Sequence, residues 1–206
     1  LDSKEDDIAT SEDTPPPKVE APTLGELTDD IEADEHGLVM VMGKGGVGKT
    51  TIAAAIAIDL AARGHEVHLS TTDPAAHIEH AIDGAYPRLA VSRIDPEVET
   101  ARYRAEVLES KGKNLDEAGR AMLEEDLHSP CTEEIAIFKA FSKVIREARR
   151  KFVVLDTAPT GHTLLLLDAT GSYHREITRH AREGVRVTTP MMMLQDPEQT
   201  KMLIVT

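Results

Sequence analysis

Gly43-Lys44-Gly45-Gly46-Val47-Gly48-Lys49-Thr50 fits the pattern G-x-x-x-x-G-K-[ST]. Such a run can grip a chain of phosphates. Its glycines let the backbone curl so that successive N–H groups converge, and a helix that follows adds the positive end of its dipole. Lys49 is spaced to reach the β- and γ-phosphates, and the Thr50 hydroxyl to ligate Mg²⁺, with Thr51 next in the same cradle. The chemistry expected is binding of a nucleoside triphosphate. Lys44 is an extra cation that this pattern does not require.

Two acids could complete a hydrolytic site. Asp156 closes the apolar run Phe152-Val153-Val154-Leu155, where a phosphate-loop enzyme needs a carboxylate beside its Mg²⁺; an Asp there can also just cap the next turn. Asp73 sits just past the second expected strand, in Thr71-Thr72-Asp73-Pro74. At the carboxyl end of a neighbouring parallel strand it would point into the same crevice, to orient or deprotonate a water or, equally, to cap a helix. Cys131 stands two residues after Ser129 at a helix start, where the dipole favours a thiolate, although a lone Cys is commonly an inert core residue. His162 sits in the Gly/Pro-bearing stretch after Asp156 and means little by itself. The His77/His80 pair has no persuasive ligand spacing. Met191-Met192-Met193 offers soft thioethers or flexible core filling.

These residues need a scaffold, and the chain alternates strand and helix from Gly37 onward. Strands are expected at Leu38 to Met42, Glu66 to Thr71, Ala90 to Ile94, Phe152 to Asp156 and Leu203 to Thr206, with a helix from Thr51 to Ala62 ended by Gly64. That order argues an α/β fold, a P-loop NTPase with a mostly parallel sheet flanked by helices. Between Asp95 and Lys151 the chain has far more residues than a crossover of about a dozen needs, so residues 95–151 read as an inserted helical subdomain. Helix starts are marked by Asp95-Pro96 and Ser129-Pro130. The second of these helices is expected to reach Arg149-Arg150-Lys151.

The 206 residues have a formal charge of −14, but residues 1–36 alone carry 13 acidic and two basic side chains, net −11. That leaves −3 for residues 37–206, so the globular part is nearly balanced. Acidic, bearing Pro15-Pro16-Pro17 and poor in large apolar groups, 1–36 reads as a flexible linker. Residues 37–206 read as one domain that stops before its fold closes, after the strand at Leu203. With no Trp and neither basic stripe nor stacking platform evident, a nucleic-acid binder is disfavoured. One Cys permits no internal disulfide and suits a reducing cytosol. No apolar run approaches the ~20 residues that span a bilayer.

Together, Gly-Lys-Gly-Gly-Val-Gly-Lys-Thr-Thr at 43–51, Asp73-Pro74-Ala75-Ala76-His77 and Asp156-Thr157-Ala158-Pro159-Thr160-Gly161-His162-Thr163 resemble the arsenical pump-driving ATPases. Val91 to Pro96 and Glu125 to Glu134 resemble the second of that family's two ATPase halves. The resemblance covers Gly37 to Thr206 and implies an ATP- and Mg²⁺-dependent ATPase, cytoplasmic and attached peripherally to the membrane through an arsenite pump subunit. It implies arsenite or antimonite as activator, with Ser129, Cys131 and His162 as metalloid ligands in the helical subdomain. By the same likeness Asp73 orients the water, Asp156 stands on the Mg²⁺ side, Lys49 contacts phosphate, and Lys44 reaches the nucleotide of a facing homologous half. An arsenic metallochaperone would be a further partner. Within this fold the alternatives are a targeting ATPase for tail-anchored proteins, a partitioning or nitrogenase-like switch ATPase, and a non-catalytic regulatory half. The first commonly carries a Cys-x-x-Cys, which a chain with one Cys lacks.

Overall fold

In a computed structural model the described residues are 23–73, 76, 78–82, 84–158, 160–180 and 188–206. Five strands form one parallel sheet: β1 (Gly37–Gly43), β2 (Val67–Thr71), β3 (Leu89–Arg93), β4 (Phe152–Asp156) and β5 (Thr200–Val205), in the order β3-β2-β4-β1-β5. β1 and β4 are nearly continuous apolar runs because helices cover both their faces, and β2, although it carries His68, Ser70 and Thr71, is buried along its whole length. β5 is an edge strand that starts three residues earlier than the apolar run at Leu203 suggests. Its alternate residues Met202 and Ile204 are exposed.

α2 (Lys49–Ala62) lies on one face of the sheet. Its apolar residues go all round, so one sheet face cannot bury them all. α1 (Leu24–Glu32) covers the rest, with Ile31 packed in the same core as Val39, Ile56, Leu60 and Val154. The expectation of a flexible linker throughout 1–36 is therefore corrected for 24–32. Leu24, Leu27, Thr28 and Ile31 recur at helical spacing, and Thr23 with Glu26 forms a capping box that fixes the first turn. Arg63, after α2, bonds Asp29 and Glu32, and His65 meets Glu32 at 2.7 Å. Hydrogen bonds from His65 first, and from Arg63, hold the Glu32 carboxyl below the ordinary carboxylate range. Residues 1–22 lie outside the described residues.

The 95–151 stretch holds α3 (Pro96–Ser110), α4 (Glu117–Asp126) and α5 (Pro130–Glu147). The capping expectation holds at Asp95, whose carboxylate accepts the N–H groups of Glu97 and Val98. α4, with its own Asp116 cap, adds a helix that the two proline-marked starts do not announce. α5 ends at Glu147, short of the three cations. Its Phe141, Val144 and Ile145 pack on Leu38, Met40, Val153 and Leu155, the sheet face opposite α2. The last half of α5 thus serves as the crossover helix into β4. α6 (Thr160–His180) and α7 (Pro190–Gln195) lead from β4 to β5. Met193 of α7 is buried in the α5-side core and Met192 is exposed, so the first of these is core filling.

Candidate active site

The sheet order brings the candidate residues together. β4 lies between β1 and β2, and its register sets Asp156 opposite both Val41 and Thr71. Two residues beyond Val41 the phosphate loop begins, and two beyond Thr71 stands Asp73. Three regions far apart in sequence therefore meet at the carboxyl edge of the sheet, where ligands bind in open parallel folds.

The loop is shaped by glycine where nothing else fits. Gly43 ends β1 with φ 153°, and a Cβ there would lie 2.2 Å from the Val205 carbonyl oxygen. Gly46 and Gly48 have φ 79° and 93°, left-handed values that open the way into α2. A Cβ on either would point into open space. Here the glycines serve the curl of the loop, and the space over it stays free for a ligand. Lys49 is buried, and its Nζ donates to the Lys44 carbonyl at 2.9 Å across the loop. Lys44 itself is exposed.

Asp156 is fully buried and accepts on a single oxygen. Thr50 Oγ1 donates to Oδ2 at 2.9 Å and Thr71 Oγ1 to the same atom at 3.1 Å. Oδ1 is buried with no hydrogen-bond partner. An orphaned carboxylate oxygen is costly. Burial pushes the Asp156 carboxyl above its ordinary value; the Thr50 and Thr71 hydroxyls and Lys49 act against this, and the charge of Asp73 adds to it. A hydroxyl and an unsatisfied carboxylate oxygen beside a phosphate loop are the hard oxygen donors Mg²⁺ takes, so the residues fit that ion.

The segment after Asp156 is tied to both neighbours. Thr157 donates through N–H and Oγ1 to the Val41 carbonyl, at 3.2 and 2.8 Å. The Thr72 hydroxyl accepts the Ala158 N–H at 3.0 Å, and the Thr71 hydroxyl accepts that of Asp73 at 3.1 Å. Thr71, Thr72 and Thr157 were not singled out in the sequence. Their only signal is position, at or just past the carboxyl end of a strand.

The soft-ligand candidates are placed less completely. Ser129 stands at the N-cap of α5 with no capping hydrogen bond from its side chain to the helix backbone, its hydroxyl meeting that of Thr132 at 3.5 Å, and Cys131 in the first turn is exposed, so it is no buried core residue. α5 feeds the amino end of β4 and runs back along it, which puts its start on the carboxyl side of the sheet. α6 starts there too. His162 falls in the first turn of α6, but its side chain is outside the described residues, as is His77. Among the described residues no group of three or more His, Cys, Asp or Glu side chains is gathered as for a metal.

A parallel sheet with a phosphate loop after β1 and a buried acid ending the adjacent strand defines a P-loop nucleotide-binding domain. Residues 36–203 match the anion-transporting ATPase family. The chain belongs to that family. It is 67% identical over 185 residues to an arsenical pump-driving ATPase of Escherichia coli, covering 90% of this chain and 32% of that protein. An arsenical pump-driving ATPase of Acidiphilium multivorum is 65% identical over 89% of this chain and 32% of its own length. ATPase GET3C of Arabidopsis thaliana is 29% identical over 77% of this chain and 47% of its own. The chain thus spans about a third of the length of the two pump-driving relatives.

Proposed function

We propose that this chain hydrolyses ATP with Mg²⁺ to drive export of arsenite or antimonite through a membrane pump. The high identity to relatives named for driving an arsenical pump supports the reading. The observation that carries it is the buried, unpartnered Oδ1 of Asp156 beside Thr50 at the mouth of a phosphate loop. Mg²⁺, when bound, would neutralise phosphate charge there, with Thr50 and Asp156 on its side. The N–H groups of residues 43–51 and the ammonium of Lys49 hold the phosphates. Asp73, from the neighbouring strand end, positions the attacking water and takes its proton. Exposed Lys44 is available to the nucleotide of a homologous second half.

Ser129, Cys131 and His162 take the trivalent metalloid, as substrate and activator. A thiolate and an imidazole suit a soft centre. The segment from Asp156 to His162 is short and, at its start, pinned to β1 and β2, so nucleotide state and metalloid ligation can bias one two-state element. No described helix is long and apolar enough to cross a membrane, and the membrane contact proposed is peripheral, through the pump subunit, with a metallochaperone delivering the metalloid.

The test is ATP turnover by this chain, alone and with a homologous half supplied, titrated with antimonite and arsenite. Turnover should rise with metalloid, and Cys131→Ser should blunt the rise. No turnover in any combination, or an identical metalloid response in the variant, would overturn the proposal.

A further inference from the structure

The exposed side of α5 carries a basic stripe that the nearly balanced charge of residues 37–206 does not announce, because only the helix gathers the cations on one side. Lys139, Lys143 and Arg146 recur at i, i+4 and i+7, one stripe of the helix, and Arg149, Arg150 and Lys151 continue it beyond the helix end. Two open grooves share Lys143 and Arg146. One, of about 330 Å³, lies between α3 and α5; the other, of about 710 Å³, is lined almost wholly by these cations. A helix dipole calls for a cation in the last turn. It does not explain Lys139 and Lys143 further back, nor three successive cations past the cap. Lys139 pairs with Glu106 and Lys151 with Glu147. Among the described residues, Lys143, Arg146, Arg149 and Arg150 have no carboxylate partner.

The same chain supplies a matching anion. Residues 1–22 hold seven acidic and two basic side chains, net −5, and lead directly into α1. Fully extended they reach about 70 Å, against a radius of gyration near 16 Å for a domain of this size, so the sheet can be rounded from the α1 face to the α5 face. Tethering raises the effective concentration to about the millimolar range. We propose that the acidic segment 1–22 docks on the basic stripe of α5. An anionic membrane fits less well, because the net charge of −14 repels it. The docking is a surface interaction independent of nucleotide chemistry.

Zero-length carbodiimide cross-linking of the whole chain, read by mass spectrometry, tests this. Carboxylates of Glu5, Asp6, Asp7, Glu12 and Asp13 should join Lys139, Lys143 or Lys151 at least about fivefold more than exposed Lys111 or Lys113. Raising salt from about 0.05 to about 0.5 M should suppress these links, and K143E/R149E/R150E should lose them. A second variant, with the seven acids of 1–22 made amides, should shift the backbone NMR signals of residues 143–151. Links spread evenly over all lysines, links only between differently labelled chains, or unmoved signals in the amide variant would each overturn the proposal. So would an absence of links together with capture of the wild-type chain, but not the triple variant, by phosphatidylglycerol vesicles.

Discussion

Asp156 concentrates the electrostatics of the site. Its raised folded value means the native chain keeps that proton longer than the unfolded chain, whose value is near 3.8. Its contribution to stability is therefore full below about pH 3.8 and is lost as pH rises through the raised folded value. Without nucleotide or Mg²⁺, the wild-type chain should lose more stability between about pH 4 and about pH 7 than Asp156→Asn does. Urea unfolding across that range measures the difference; parallel curves would show that Asp156 is not held protonated by its surroundings. Thr50 and Asp156 could be read from sequence because each sits at a fixed distance along the chain from a local signal, the glycine run or the end of an apolar strand. Thr71 could not, because its hydroxyl matters only through a register that pairs it with a residue 85 positions away.

At the scale of elements, α1 shows how composition can hide periodicity. The acids of 1–36 argue for a solvated tail, yet three inward residues at helical spacing, Leu27, Thr28 and Ile31, suffice to dock a helix when α2 offers a second apolar face. Ile31 is 2% exposed. Ile31→Ala should cost about 2–4 kcal/mol and lower the melting temperature by roughly 5–10 °C, with hydrogen exchange rising first in α1. A melting point within a degree of wild type would mean α1 contributes nothing to the core. The proline-marked starts of α3 and α5 were legible because a cap acts locally. The end of α5 was not: Ala148 closes the helix before the three cations, where burial against the sheet gives way to the turn into β4.

For the whole molecule, strand order decides function. Alternating strands and helices announced a parallel sheet, but nothing local told that β4 inserts between β1 and β2, and only that insertion sets Asp156 beside both the phosphate loop and Asp73. The order is a long-range result of packing α2 on one face and α5 on the other. The charge map is likewise global: acids gathered before α1, cations gathered on α5. The central claim, that this assembly grips a triphosphate through its amides and Lys49 and uses Asp156 for Mg²⁺, is tested most directly by calorimetric binding of a non-hydrolysable ATP analogue with and without Mg²⁺. Wild type should bind at least about tenfold more tightly with the ion, a gain of about 1.4 kcal/mol; Asp156→Asn should lose that increment, and Lys49→Ala should bind weakly in both conditions. Equal affinity of the wild type with and without Mg²⁺, or undiminished binding by Lys49→Ala, would contradict the account.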